Sequence, residues 1–136
     1  MPHSQVNVID LYCEETGNGE PLLLISGLSG TTLGREPVRP ALGTRFRVIS
    51  FDNRGAGRSS APPSPYSTRQ MADDAAALLD RIGVGRAHVV GLSLGGMIAQ
   101  ELALAHPERV DRLVLLATYL RMRPGARRST MLEGQE

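Results

Sequence analysis

Gly91-Leu92-Ser93-Leu94-Gly95 decides the reading of this chain, because of what stands on either side. Before it, residues 87–91 form a short apolar run that reads as a buried strand. After it, residues 96–105 read as a helix stopped by His106-Pro107. A Gly-x-Ser-x-Gly held between a strand and a helix is the setting of a serine nucleophile raised on a sharp turn. Such a serine sits at strained backbone angles with its hydroxyl clear of the sheet. Side chains at Gly91 and Gly95 would collide in so tight a turn. The helix that follows points free N–H groups and its positive end at the serine oxygen.

Outward from this turn, strands and helices alternate. Residues 6–14 mix apolar and polar positions like a short, partly exposed strand pair, and Thr16-Gly17-Asn18-Gly19 is a turn. Residues 21–25 read as a strand buried on both faces. A glycine- and threonine-rich loop over 27–34 follows, and Pro37 and Pro40 leave room only for a short or broken helix. A further strand over 46–51 ends in the turn Asp52-Asn53-Arg54-Gly55-Ala56-Gly57, which predicts a rim held by hydrogen bonds and an ion pair. Pro62, Pro63 and Pro65 form a stiff connector.

Ser67-Thr68-Arg69-Gln70 has the form of a capping box, and Met71, Ala75, Leu78, Leu79 and Ile82 follow at helical spacing until Gly83. Asp73 and Asp74 read as solvated charges on that helix. A last strand spans 110–117. Residues 1–120 are expected to form the core, and 121–136, with Arg121, Arg123, Arg127 and Arg128, to begin a cap or form a tail. The alternation predicts an α/β fold: a mostly parallel sheet with helices on both faces. In such sheets chemistry sits beyond the carboxyl ends of the strands, where Ser93 and the loops from Ser26 and Asp52 converge.

Composition narrows the function classes. The 136 residues suit one domain, burying roughly two-thirds of the unfolded surface. A hydrophobic fraction of 41% with 21% charged describes an ordinary globular protein. A net charge of +1 favours neither nucleic acid nor an anionic membrane. All 15 basic side chains are arginine, which fits codon bias in a GC-rich genome. Cys13, the sole cysteine, excludes an internal disulfide and a cysteine-based zinc site. The first residues have neither a basic nor an apolar stretch of a signal peptide, and the apolar run 113–117 is too short to span a bilayer. A cytoplasmic location is the expectation. Gly55-Ala56-Gly57 lacks the third glycine of a dinucleotide fingerprint, and no Gly-Lys-Ser/Thr follows Gly27-Leu28-Ser29-Gly30, so nucleotide binding is rejected.

These stretches together resemble the α/β-hydrolase superfamily, over nearly the whole chain. Residues 17–27 look like its third strand and oxyanion loop, and 51–60 like its fourth strand and following turn. Residues 91–100 look like its nucleophile elbow, and 105–117 are similar to its helix-to-sixth-strand join. The resemblance implies a serine hydrolase acting on an ester or related acyl bond of a small molecule, with no metal or organic cofactor. Ser93 would be the nucleophile, and the backbone N–H groups of Leu28 and Leu94 the oxyanion hole.

Two departures stand out. Ser26-Gly27 occupies the place where many relatives have His-Gly. The acid and histidine follow later strands in the family, in the order Ser, Asp, His, and so are expected beyond Glu136. Among the local histidines, His88 opens the strand leading to Ser93, His106 ends the following helix and His3 lies near the terminus; each is read as structural or solvated. The alternative is a catalytically incomplete hydrolase half that acts as a binding module or needs a complementing chain. The 110–117 strand would then present an edge for self-association or for that second chain.

Overall fold

In a computed structural model, residues 3–7, 9–27, 38–63 and 65–120 are described. They form β1 (His3–Val6), β2 (Ile9–Thr16), β3 (Glu20–Ile25), α1 (Val38–Leu42), β4 (Phe46–Phe51), α2 (Thr68–Arg81), β5 (Ala87–Leu92), α3 (Leu94–Ala105) and β6 (Val110–Leu116). The expected tail, 121–136, lies outside the described residues. The six strands form one sheet in the order β1-β2-β4-β3-β5-β6. β4, β3, β5 and β6 run parallel, while β1 and β2 pair antiparallel with each other and β2 with β4. The α/β architecture expected from the sequence is thereby found.

The elements follow from local chemistry. In α2, the Ser67 hydroxyl accepts the Gln70 backbone N–H at 3.0 Å, satisfying a donor that helix geometry leaves free. Met71, Ala75, Leu78 and Leu79 then fall on one buried face, and Gly83, at φ 76, releases the chain. α1 is only five residues long and carries Pro40 at its centre. The apolar run of β3 places Leu23 and Ile25 on one face and Leu22 and Leu24 on the other.

The two faces are not equally covered. α2 and α3 pack over Leu23, Ile25, Ile49, Phe51 and Val89, which are 0–1% exposed. The opposite face has a smaller cluster of Leu22, Leu24 and Val48, flanked by Leu42, Phe46 and Val90. β6 is an edge of the sheet among the described residues, with Val114 at 47% and Leu116 at 49% exposure. All parallel strands aim their carboxyl ends at one rim, and there the site lies.

Candidate active site

Ser93 stands alone between the end of β5 and the start of α3, at φ 55 and ψ −118. Left-handed φ is unfavourable for serine, at about 1–3 kcal/mol, so the surroundings must impose it. They do so by hydrogen bonds: Ser93 N–H donates to the Leu116 carbonyl at 2.9 Å, and its carbonyl accepts Gly96 N–H at 2.9 Å. They also do so by close approach. A Cβ on Gly91 would lie 2.4 Å from the Gly95 carbonyl oxygen, across the turn. One on Gly95 would lie 2.1 Å from the Ile25 oxygen, so Gly95 is reserved for the neighbouring strand β3. The Ser93 side chain remains exposed.

Leu94 opens α3, and its N–H is among the first-turn donors that have no partner within the helix. The end of β3 faces it: a Cβ built on Gly27 would be 3.3 Å from Ser93 Cβ and 3.9 Å from its Oγ. The chain leaving Gly27 thus starts within reach of the serine. Leu28, the other expected oxyanion donor, lies outside the described residues. Upstream, Asn53 Nδ2 donates to the Ser26 carbonyl at 3.1 Å, so β4's turn holds the start of this loop. The Ser26 hydroxyl is buried without a hydrogen-bond partner among the described residues.

The turn after β4 is held, as expected, by hydrogen bonds and an ion pair. The Asp52 carboxylate accepts the Arg58 backbone N–H at 3.0 Å, while Asp52 N–H donates to the Tyr12 carbonyl. The ion pair runs from Arg54 to α2: Nε meets Asp74 Oδ2 at 2.6 Å and Nη2 meets Oδ1 at 2.8 Å. This corrects the reading of Asp74 as a solvated charge, since Asp74 is 2% exposed and Arg54 7%. Asn7 Nδ2 adds a third donor at 3.0 Å. The Asp74 hydrogen bond holds the Arg54 guanidinium still more firmly protonated, outweighing burial. A signal for Asp74 was present, because it lies three residues after Met71 and four before Leu78, on the inward face. Gly27, Asn53, Arg54, Tyr66, Met71 and Leu94 line a cleft of about 450 Å³ beside the serine turn.

The histidines lie elsewhere. His88 Nε2 is 3.1 Å from Glu20 Oε2, at the amino ends of β5 and β3. His106 caps α3 and meets Asp73 Oδ1 through Nε2 at 2.9 Å; that bond, with help from Arg69, pulls the Asp73 carboxyl below its usual range. The twelve residues of α3 separate His106 from Ser93 by roughly 18 Å of helix rise. His3 Nδ1 pairs with Asp10 at 2.7 Å. Among the described residues no three His, Cys, Asp or Glu side chains gather as metal ligands, and no helix is long and apolar enough to cross a membrane.

A strained, exposed serine between a parallel strand and a helix, with the end of the neighbouring strand β3 beside it, is the strand–turn–helix arrangement that the sequence leads one to expect. The family profile for the alpha/beta hydrolase fold matches residues 20–133, and the chain belongs to that family. It is 43% identical over 121 residues to RutD of Azorhizobium caulinodans, named as a carbamate hydrolase, covering 89% of this chain and 46% of that one. The enol-lactonase of Burkholderia xenovorans superposes with a TM-score of 0.79 at 34% identity, covering 82% and 45% of the two chains. A hydrolase from Pseudomonas aeruginosa gives 0.85 at 34% identity, covering 98% and 50%. The chain spans about half the length of these relatives.

Proposed function

We propose that Ser93 is the nucleophile of a serine hydrolase that cleaves an ester or a related acyl bond in a small molecule. The observation that carries this reading is the left-handed φ of 55 at Ser93, imposed at the start of α3 with the side chain exposed. Strain of that kind is retained where function needs it. The hydroxyl attacks a carbonyl carbon, and the negative charge that develops on the carbonyl oxygen meets the N–H groups of Leu94 and Leu28. Each such donor is typically worth ~3 kcal/mol on the oxyanion. The leaving group departs to give an acyl-serine, which water then hydrolyses. The names of two relatives, a carbamate hydrolase and an enol-lactonase, describe substrates with a carbonyl bonded to a heteroatom, in keeping with this chemistry.

An activated serine also needs a base and an orienting carboxylate. His3, His88 and His106 are each engaged away from Ser93, so we assign the base and acid to polypeptide outside this sequence. The test is fluorophosphonate labelling read by intact mass. On the 136-residue chain alone the adduct is expected to form slowly. It becomes stoichiometric when the chain is co-expressed with the remaining half of its RutD relative, and it is lost in Ser93→Ala. A folded, assembled pair that takes no label, or takes it equally in Ser93→Ala, sinks the proposal.

The sheet edge favours a second reading: β6 pairs with a second copy or a complementing chain. Its exposed Val114 and Leu116 continue the apolar face formed by Val90 and Leu24. Light scattering after size exclusion tests self-association, and a monodisperse monomer at high concentration counts against it.

A further inference from the structure

The carboxyl end of β6 turns back and grips the serine turn. Ala117 takes φ 49, a region that a non-glycine residue rarely enters, and delivers Thr118 and Tyr119 over the first turn of α3. Thr118 Oγ1 donates to the Ser93 carbonyl at 2.6 Å, beside the bond from Ser93 N–H to the Leu116 carbonyl. Both backbone polar groups of Ser93 are therefore tied to residues 116–118. The fit is tight: a Cβ on Gly96 would lie 2.5 Å from both Cβ and Oγ1 of Thr118. One turn further along α3, Gln100 Nε2 donates to the Tyr119 carbonyl at 2.6 Å and holds the returning segment down.

The Thr118 hydroxyl is not needed to satisfy the Ser93 carbonyl, which already accepts Gly96 N–H within the helix. Its effect is directional. The Ser93 carbonyl and the Leu94 N–H belong to the same planar peptide unit and point in opposite directions. A hydrogen bond that anchors the one aims the other. We infer that Thr118 is a positioning residue, whose hydroxyl sets the plane of the 93–94 peptide and so directs the Leu94 N–H at the reacting centre. This inference rests on Ser93 being the nucleophile, and it concerns one half of the oxyanion hole.

A thiol probe tests it without a catalytic base. In the Ser93→Cys chain the new thiolate lies at the α3 N-terminus beside the Leu94 N–H, which lowers a thiol pKa from its ordinary value of about 8.5. The pH dependence of iodoacetamide alkylation, followed by intact mass, gives that pKa. Cys13 is buried and its thiol is pushed up by burial, so its slow background is read from the parent chain. Adding Thr118→Val is expected to raise the pKa and slow alkylation at neutral pH about fivefold, as loss of one hydrogen bond implies. Thr118→Ser, which keeps the hydroxyl, restores the rate to within about twofold. A purely structural role for Thr118 would lower the melting temperature and leave the thiol pKa unchanged, and that result overturns the inference. Should Thr118→Val not fold, Thr118→Ala removes the same hydroxyl, and an unaltered pKa there overturns it equally. A depressed pKa that ignores Thr118 leaves the Ser93 reading intact. An ordinary pKa before any change at Thr118 overturns both.

Discussion

The two faces of this sheet are made by the same strands and differ in what lies over them. On one, α2 and α3 seal Leu23, Ile25, Ile49, Phe51 and Val89 almost completely. On the other, Leu22, Leu24 and Val48 of β3 and β4 are also buried, yet among the described residues only the five-residue α1 packs there, and Val114 and Leu116 of β6 stay exposed. Apolar sequence is thus necessary for a core but not sufficient. The covered face also anchors both ends of the site, through α3 at Ser93 and through Asp74 of α2 at the turn after β4.

The comparison breaks most sharply at the site itself. Gly95→Val is expected to abolish folding, since its Cβ would meet the Ile25 main-chain oxygen at 2.1 Å and neither backbone can retreat; circular dichroism of the soluble fraction reports this. Next comes Asp74→Ala, which strands the buried Arg54 guanidinium and costs about 3–5 kcal/mol in urea denaturation. Arg54→Lys, with Asp74 kept, is also expected to destabilise, because one ammonium cannot bridge both Asp74 carboxylate oxygens as the guanidinium does.

Leu79→Ala on the sealed face is expected to cost ~2–5 kcal/mol, whereas Val114→Ala on the open face stays within about 0.5 kcal/mol. Similar losses on both faces would mean that the open face is covered in solution. Val114→Lys sharpens the same contrast: it reduces self-association in light scattering with little change in monomer stability.

The smallest expected effect is a pH dependence. The Asp73 carboxyl is held below its ordinary 3.8, chiefly by His106. A depressed folded-state value contributes stability that is complete above 3.8 and disappears as pH falls through the lower folded value. His106→Ala is therefore expected to flatten the acid limb of stability below about pH 4, while Ser93 labelling is unaffected. Asp73 is half-exposed, so solvent keeps this contribution small.

Much of this protein was legible before any coordinates. The turn at Ser93 could be read because its signals are local: a strand, two glycines and a helix, all within residues 87–105. The capping box at Ser67 and the stop at Gly83 are local in the same sense. Asp74 was misread because a carboxylate early in a helix ordinarily faces water. Its inward direction matters only once Arg54, twenty residues earlier, arrives from the turn after β4.

By itself, then, the sequence determined the alternation of strands and helices, the rim that carries the candidate site and the serine presented there. Periodicity and glycine placement act over a few residues and survive any change of partner. Only the tertiary structure decided which side chains brace that serine and which histidines are withheld from it. Thr118 reaches the Ser93 carbonyl from 25 positions away, and His106 is held by Asp73 from 33. Such contacts arise from strand order and helix packing, since β6 lies beside β5 and α2 beside α3, and no local pattern encodes them.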